Sequence, residues 1–212
     1  MSSVPYFNQV AGQWDDLRQA FFSDRVREAA LAAAGVQTGE FAADIGAGSG
    51  FVTEALIAAG LTVKAVDPSA QMLEVMREKF AGSTSADYLL GNAEQIPLEA
   101  SSVNHAFANM CLHHVENPAA AIRDMARILQ PGGKLVITDL DTHDFAFLRE
   151  EHHDRWMGFA RTDIAQWFTD AGLIDVSVTS VGSNCCADSA CGTQKAEVSI
   201  FLAVGTKPAS TP

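Results

Sequence analysis

Hydrophobic residues of the N-terminal quarter recur at helical spacing. Trp14, Leu17, Phe21 and Phe22 fall three to four apart, and the run DRVREAALAAA follows. That pattern predicts one or two helices between Asn8 and Ala34, stopped by Gly35. From residue 41 the pattern changes to short apolar runs alternating with helical stretches. Strands are predicted at 41–45 (FAADI), 61–66 (LTVKAV), 86–90 (ADYLL), 103–110 (VNHAFANM) and 132–140 (GGKLVITDL). Helices are predicted at 51–60, 69–80, 118–129 and 161–172. Pro118 stands in the first turn of the third, while Thr162 caps and Gly172 stops the fourth. Two more strands, at 173–181 and 196–205, flank the stretch GSNCCADSACG. This alternation implies a mostly parallel sheet with helices on both faces. Right-handed crossovers then gather the loops that follow the parallel strands at one sheet edge, where open α/β sheets bind ligands.

The 212 residues suffice for one substantial domain. Hydrophobic residues make up 48% and charged residues 19%, which excludes a disordered or collagen-like chain. A formal charge of −12 with scattered Lys and Arg would repel a phosphate backbone, so no nucleic-acid partner is expected. The N-terminus lacks a basic segment followed by an apolar run, and no stretch reaches the roughly 18–20 apolar residues of a membrane span. The expectation is a cytoplasmic protein with no membrane partner. Thiols stay reduced in that compartment, so the four cysteines read as metal, metalloid or redox groups rather than disulfides. Domain boundaries are expected at 1–206, with a helical lid over 1–35, an insert near the acceptor at 139–160 and a frayed tail at 207–212. Oligomeric state is not legible.

The strongest functional signal is AADIGAGSG, residues 42–50, where the first strand turns into a helix. Gly46, Gly48 and Gly50 allow close backbone approach to a ligand at a helix N-terminus. Asp67 ends the next strand, roughly 20 residues on, where a carboxylate can accept both ribose hydroxyls of an adenosine. A dinucleotide fingerprint would want its third glycine one place later, where Phe51 stands, so an adenosine ligand without pyrophosphate fits better.

Together DIGAGSG, AVDPS, GNAEQIPLEA, NHAFANM with CLHHV, and ILQPGGKLVITD resemble class I S-adenosylmethionine-dependent methyltransferases over about residues 40–140. The family includes small-molecule enzymes, and the 139–159 segment is similar to that of members fused to arsenic-sensing-type regulators. The resemblance implies a Rossmann-like, doubly wound seven-stranded sheet, order 3-2-1-4-5-7-6, with the last strand antiparallel. It implies S-adenosylmethionine as cofactor. Asp44, Gly46, Ala47, Gly48 and Gly50 would hold its methionine portion, Asp67 the ribose, and Pro68, Ser69 and Met72 the adenine flank. Asn92, Ala93 and Glu94 would meet the adenine edge, Asn109 and Met110 would lie beneath the sulfonium, and Tyr6 with Phe7 would close over the cofactor.

The methyl acceptor sits among variable parts of the chain. His113 and His114 follow the fourth strand, and Asp139 and Asp141 emerge from the fifth into the site, so His113, His114 and Asp139 are the candidate catalytic groups. His143, His152 and His153 lie in the insert, and the bland reading of the last two is a solvated helix face. The topology puts the cysteine stretch and Cys111 on the edge that carries the glycine loop. Cys185, Cys186 and Cys191, with Cys111, are therefore expected to bind a thiophilic acceptor such as arsenite, or a metal. Two alternatives stay open. One is a small organic acceptor such as a quinol, phenol or thiol, with Glu116, Asp139 or a histidine as base. The other is a cofactor-binding metal sensor without turnover.

Overall fold

In the strand Val103–Asn109 (β4), Ala106 and Ala108 join one apolar cluster while Phe107 between them joins another. The strand alternation therefore feeds two cores, one on each sheet face. The computed structural model describes residues 3–189 and 191–209. Six further strands are Phe41–Ile45 (β1), Thr62–Asp67 (β2), Ala86–Leu90 (β3), Leu129–Leu140 (β5), Ile174–Asp188 (β6) and Lys195–Thr206 (β7). Their order is β3-β2-β1-β4-β5-β7-β6. Strands β1 to β5 pair in parallel, and β7 runs antiparallel to both β5 and β6. This is the Rossmann-like sheet that the resemblance implied.

Helices Arg25–Ala34 (α3) and Phe51–Ala58 (α4) bury Val26, Ala30, Val52 and Leu56 in the Phe107 cluster. Helices Pro118–Ile128 (α6) and Arg161–Asp170 (α8) bury Ile122, Met125, Ile164 and Phe168 on the other face. Val4–Val10 (α1), Trp14–Phe21 (α2), Ala70–Lys79 (α5) and Ala146–Glu151 (α7) complete the helices. Gly35 ends α3 in the left-handed conformation and donates to Leu31 O at 3.0 Å. Among the described residues no helix is long and apolar enough to cross a membrane.

Four expectations need correction. The first helix starts at Val4 rather than Asn8, and a 3-10 turn at Ala11–Gln13 splits the N-terminal run. Ala160, without a side-chain cap, precedes α8, so Thr162 lies inside the helix instead of capping it. Strand β6 runs on through Cys185 and Cys186, because Asn184–Asp188 pair with Lys195–Ser199 after a register shift around Gly182. The strand predicted over 173–181 stops short of Gly182, and cross-strand pairing carries it on past that residue. Lys207, expected to fray, is pinned: its ammonium donates to Leu129 O at 2.6 Å and its N–H to Gly133 O at 2.8 Å. Residues 210–212 of the predicted tail lie outside the described residues.

Candidate active site

The carboxyl ends of β1, β2 and β4 open on a cavity of about 700 Å³. The glycine loop forms its floor: the Gly46 and Ala47 N–H groups donate to Val66 O at 2.8 and 3.1 Å, fixing the loop against β2. Gly46 has φ +68, and a Cβ there would fall 2.2 Å from Cys111 Sγ. Only glycine lets the loop and Cys111, two residues beyond β4, approach so closely. Asp67 lines the cavity while nearly buried, and its carboxylate accepts the N–H of Gly48 and of Ser69, each at 2.8 Å. Burial pushes its pKa up to about 6 against those two hydrogen bonds.

Of the residues assigned to the cofactor, Gly46, Ala47, Gly48, Asp67, Pro68, Ser69, Met72, Asn92, Ala93, Glu94, Asn109 and Met110 line this cavity. Three do not. Asp44 is buried behind the loop, where its carboxylate accepts Thr53 N–H at 2.9 Å and Thr53 Oγ1–H at 2.7 Å. It anchors the first turn of α4, and burial pushes its pKa up to about 6. A Cβ on Gly50 would fall 2.6 Å from Phe80 Cε2, so that glycine serves the packing of the loop on the α5 end. Tyr6 turns away from the main cavity and lies 5.0 Å from the His153 ring. Two members of the set are also already engaged: Glu94 Oε1 accepts Glu116 N–H at 2.9 Å, and Asn109 Oδ1 accepts Thr138 Oγ1–H at 2.8 Å.

Helices α1 and α2 contribute Val4, Phe7, Trp14 and Arg18 to the cavity lining. Ser69 Oγ donates to Asn8 Oδ1 at 2.7 Å and Ser49 Oγ to Asp15 Oδ1 at 2.6 Å. Phe7 and Trp14 form the apolar wall, edge to face at 5.2 Å. Helical periodicity gave Trp14 only a place on a helix, since spacing alone does not separate a core face from a cavity wall.

A second cavity of about 60 Å³ adjoins the first, sharing Phe7, Trp14, Phe22, Met110 and His114. Its own walls include Tyr6, Phe21, His113, His152, Asp154 and Cys185. Met110, at the junction, holds a positive φ of 50, a conformation that costs a non-glycine residue about 1–3 kcal/mol and often marks a functional site.

The structure sets Asp139 against His113, but of the three candidate catalytic residues only His113 and His114 line a cavity. Asp139 is fully buried and does not reach either cavity. Its carboxylate accepts Leu112 N–H at 2.8 Å and sits 2.7 Å from His113 Nδ1. Burial alone would lower the His113 pKa, but the carboxylates of Asp139 and Asp154 outweigh it and raise it to about 9. His114 is the opposite case. Burial, then the neighbouring His113 charge, pushes its pKa well below the usual value, and its Nδ1 is buried without a hydrogen-bond partner. His114 therefore presents a neutral imidazole to both cavities. Asp141, expected in the site, instead takes two hydrogen bonds from Arg161 at 2.7 and 2.6 Å and one from Ser199. It ties the start of α8 to β7.

The cysteines do not converge. Cys111 abuts the glycine loop and lines the main cavity, and Cys185 lines the second. Cys186, one residue further along β6, points to the opposite face. Cys191 lies exposed in the β6–β7 turn, with its sulfur 2.9 Å from Thr193 Oγ1. Among the described residues, the one group of three or more His, Cys, Asp or Glu that could share an ion is His113, His114 and Asp154. Of the insert histidines, His152 is half-buried on the second cavity while His153 is exposed, so the pair is only partly a solvated face. Asp154 escaped the sequence reading altogether, being one acid in the run EEHHD.

Residues 43–137 match a family model described as a methyltransferase domain. An uncharacterized methyltransferase of Mycobacterium bovis is 45% identical over 92 residues, covering 43% of this chain and 36% of that protein. The demethylmenaquinone methyltransferase of Tropheryma whipplei is 33% identical over 136 residues, 63% of this chain and 56% of that protein. This chain thus matches between about a third and just over half of the length of those relatives. A chain from the complex of the Haloferax volcanii Trm112 methyltransferase activator with its methyltransferase superposes with a TM-score of 0.79, at 20% identity, covering all of both chains.

Proposed function

The chain carries a methyltransferase domain on the class I S-adenosylmethionine-dependent fold, and from that premise we propose that it methylates a small aromatic acceptor of the phenol or quinol class. The observation that carries this reading is the pair of adjoining cavities: a large one floored by the glycine loop and Asp67, and a small one walled by Tyr6, Phe7, Trp14, Phe21 and Phe22.

When bound, S-adenosylmethionine supplies an electrophilic methyl group on a sulfonium. The residues of the first cavity suit it: the Asp67 carboxylate can accept the ribose hydroxyls, and Met72 and Ala93 offer apolar flanks to an adenine. Asn109, which ends β4, and Met110 just after it lie where the first cavity meets the second, which sets where an acceptor atom meets the methyl group. His114, neutral and with a free lone pair, accepts the acceptor's hydroxyl proton there. Asp139 acts through His113, holding that ring, and hence the adjacent turn, in place.

At about 60 Å³ the second cavity is smaller than the roughly 150 Å³ that admits benzene, so a ring enters only if α1 and α2 shift outward. The name of the Tropheryma relative, a demethylmenaquinone methyltransferase, supports a quinol-type acceptor. The dispersed thiols weigh against arsenite, which prefers several sulfurs at once. The test is incubation of reduced protein with methyl-labelled S-adenosylmethionine and a panel of quinols, phenols, thiols and arsenite, with chromatography of the products. Label in a quinol or phenol is expected. Label in methylarsenicals alone would overturn the acceptor class, and cofactor binding with transfer to no acceptor would favour a sensor.

A further inference from the structure

His113, His114 and Asp154 come from two segments that the fold clamps together. The His113 carbonyl accepts the N–H groups of Arg155 and Trp156 at 3.0 and 3.1 Å, which brings the loop carrying Asp154 against the 3-10 turn Leu112–His114. His153, next to Asp154, holds a positive φ of 61, a strained conformation for a non-glycine residue. One potential ligand atom from each of the three side chains lies within 4.8 Å of the other two. His113 Nε2 is 3.7 Å from Asp154 Oδ1, near the roughly 3.4 Å that separates ligands of a tetrahedral ion bonded at about 2.1 Å.

We propose that His113, His114 and Asp154 form a site for a zinc-like divalent transition metal ion on the wall of the second cavity. Two independent features support it. The other nitrogen of His113 faces the buried Asp139 at 2.7 Å, the carboxylate–histidine arrangement that fixes the tautomer and orientation of a metal-binding imidazole. His114 Nδ1 is a buried lone pair with no hydrogen-bond partner, and His152 Nε2 on the same cavity is another. Unpaired buried nitrogens are costly unless something binds them. Two imidazoles and a carboxylate, with Cys185 also on the cavity, favour zinc, cobalt or ferrous iron over magnesium or calcium, which want all-oxygen shells. A bound ion would take the His114 lone pair that the proposed proton transfer uses, so the metal-loaded and metal-free forms are alternatives, and the zinc test needs neither the cofactor nor methyl transfer.

The experiment is titration of chelator-treated full-length protein with zinc chloride, followed by calorimetry and elemental analysis after desalting, and with cobalt by visible absorption. One ion per chain is expected, with cobalt bands of a four- or five-coordinate site. Asp154→Asn, which keeps the shape of the side chain, and His114→Ala should each weaken zinc roughly tenfold or more. Folding is checked by circular dichroism and by S-adenosylhomocysteine binding, while Cys191→Ser should bind zinc as the parent does. Folded parent protein that retains no zinc, or zinc affinity untouched by both Asp154→Asn and His114→Ala, would overturn the site.

Discussion

Gly48 donates its backbone N–H to Asp67 Oδ2 at 2.8 Å, so the carboxylate at the end of β2 holds the glycine loop that begins at the end of β1. The same carboxylate is the one assigned to the ribose, and it does this work as an anion. With its pKa raised to about 6 by burial, lowering the pH through 6 protonates it and removes its capacity to accept two hydroxyls. S-adenosylhomocysteine affinity should therefore be constant above about pH 7 and fall as pH drops below 6. Asp67→Asn should bind weakly at every pH with that fall flattened. Calorimetric titration at several pH values checks this, and an equally steep fall in the variant would refute it.

Gly46 and Cys111 are coupled by contact. Gly46→Ala should cost about 1–3 kcal/mol through overpacking and left-handed strain. Cys111→Ala would not relieve it, because a Cβ on residue 46 would still lie 2.8 Å from the Cys111 Cβ, whereas Cys111→Gly removes both clashing atoms. A double-mutant cycle by urea unfolding should show a favourable coupling of about 1 kcal/mol or more. Additive costs would mean the loop moves instead.

Thiol reactivity should rank by environment. Hydrogen bonds from Ser189 and Thr193 bring the exposed Cys191 thiol down to about 7, while burial pushes Cys185 up to about 12 and Cys111 well above its usual value. Limited iodoacetamide at pH 7.5, read by peptide mass spectrometry, should label Cys191 first and leave Cys111 and Cys185 intact in folded protein. Early labelling of Cys185 would show that the second cavity opens readily.

His114→Asn should lower kcat by about a hundredfold or more with little change in KM for S-adenosylmethionine, the pattern expected of a group acting on the acceptor. A matching loss in cofactor affinity would make His114 a wall of the first cavity only.

Strand alternation, the glycine loop and the acid ending the second strand are local signals, each needing few neighbours to be meaningful, so the residue pattern by itself determined a mostly parallel sheet with a ligand-binding loop after its first strand, while the strand order and the remaining cofactor residues came from the family resemblance. The same locality explains the misses. Asp44 and Gly50 share the motif but face Thr53 and the Phe80 ring, a difference set by packing of α4 and α5. Which of His113 and His114 is charged depended on a buried Asp139 from a distant strand and on Asp154 from the insert. The cysteines were close in sequence and apart in space because β6 continues through two of them, turning one inward and one outward. Only the tertiary structure decides such matters, since burial and cross-strand pairing arise from contacts between residues far apart in the chain.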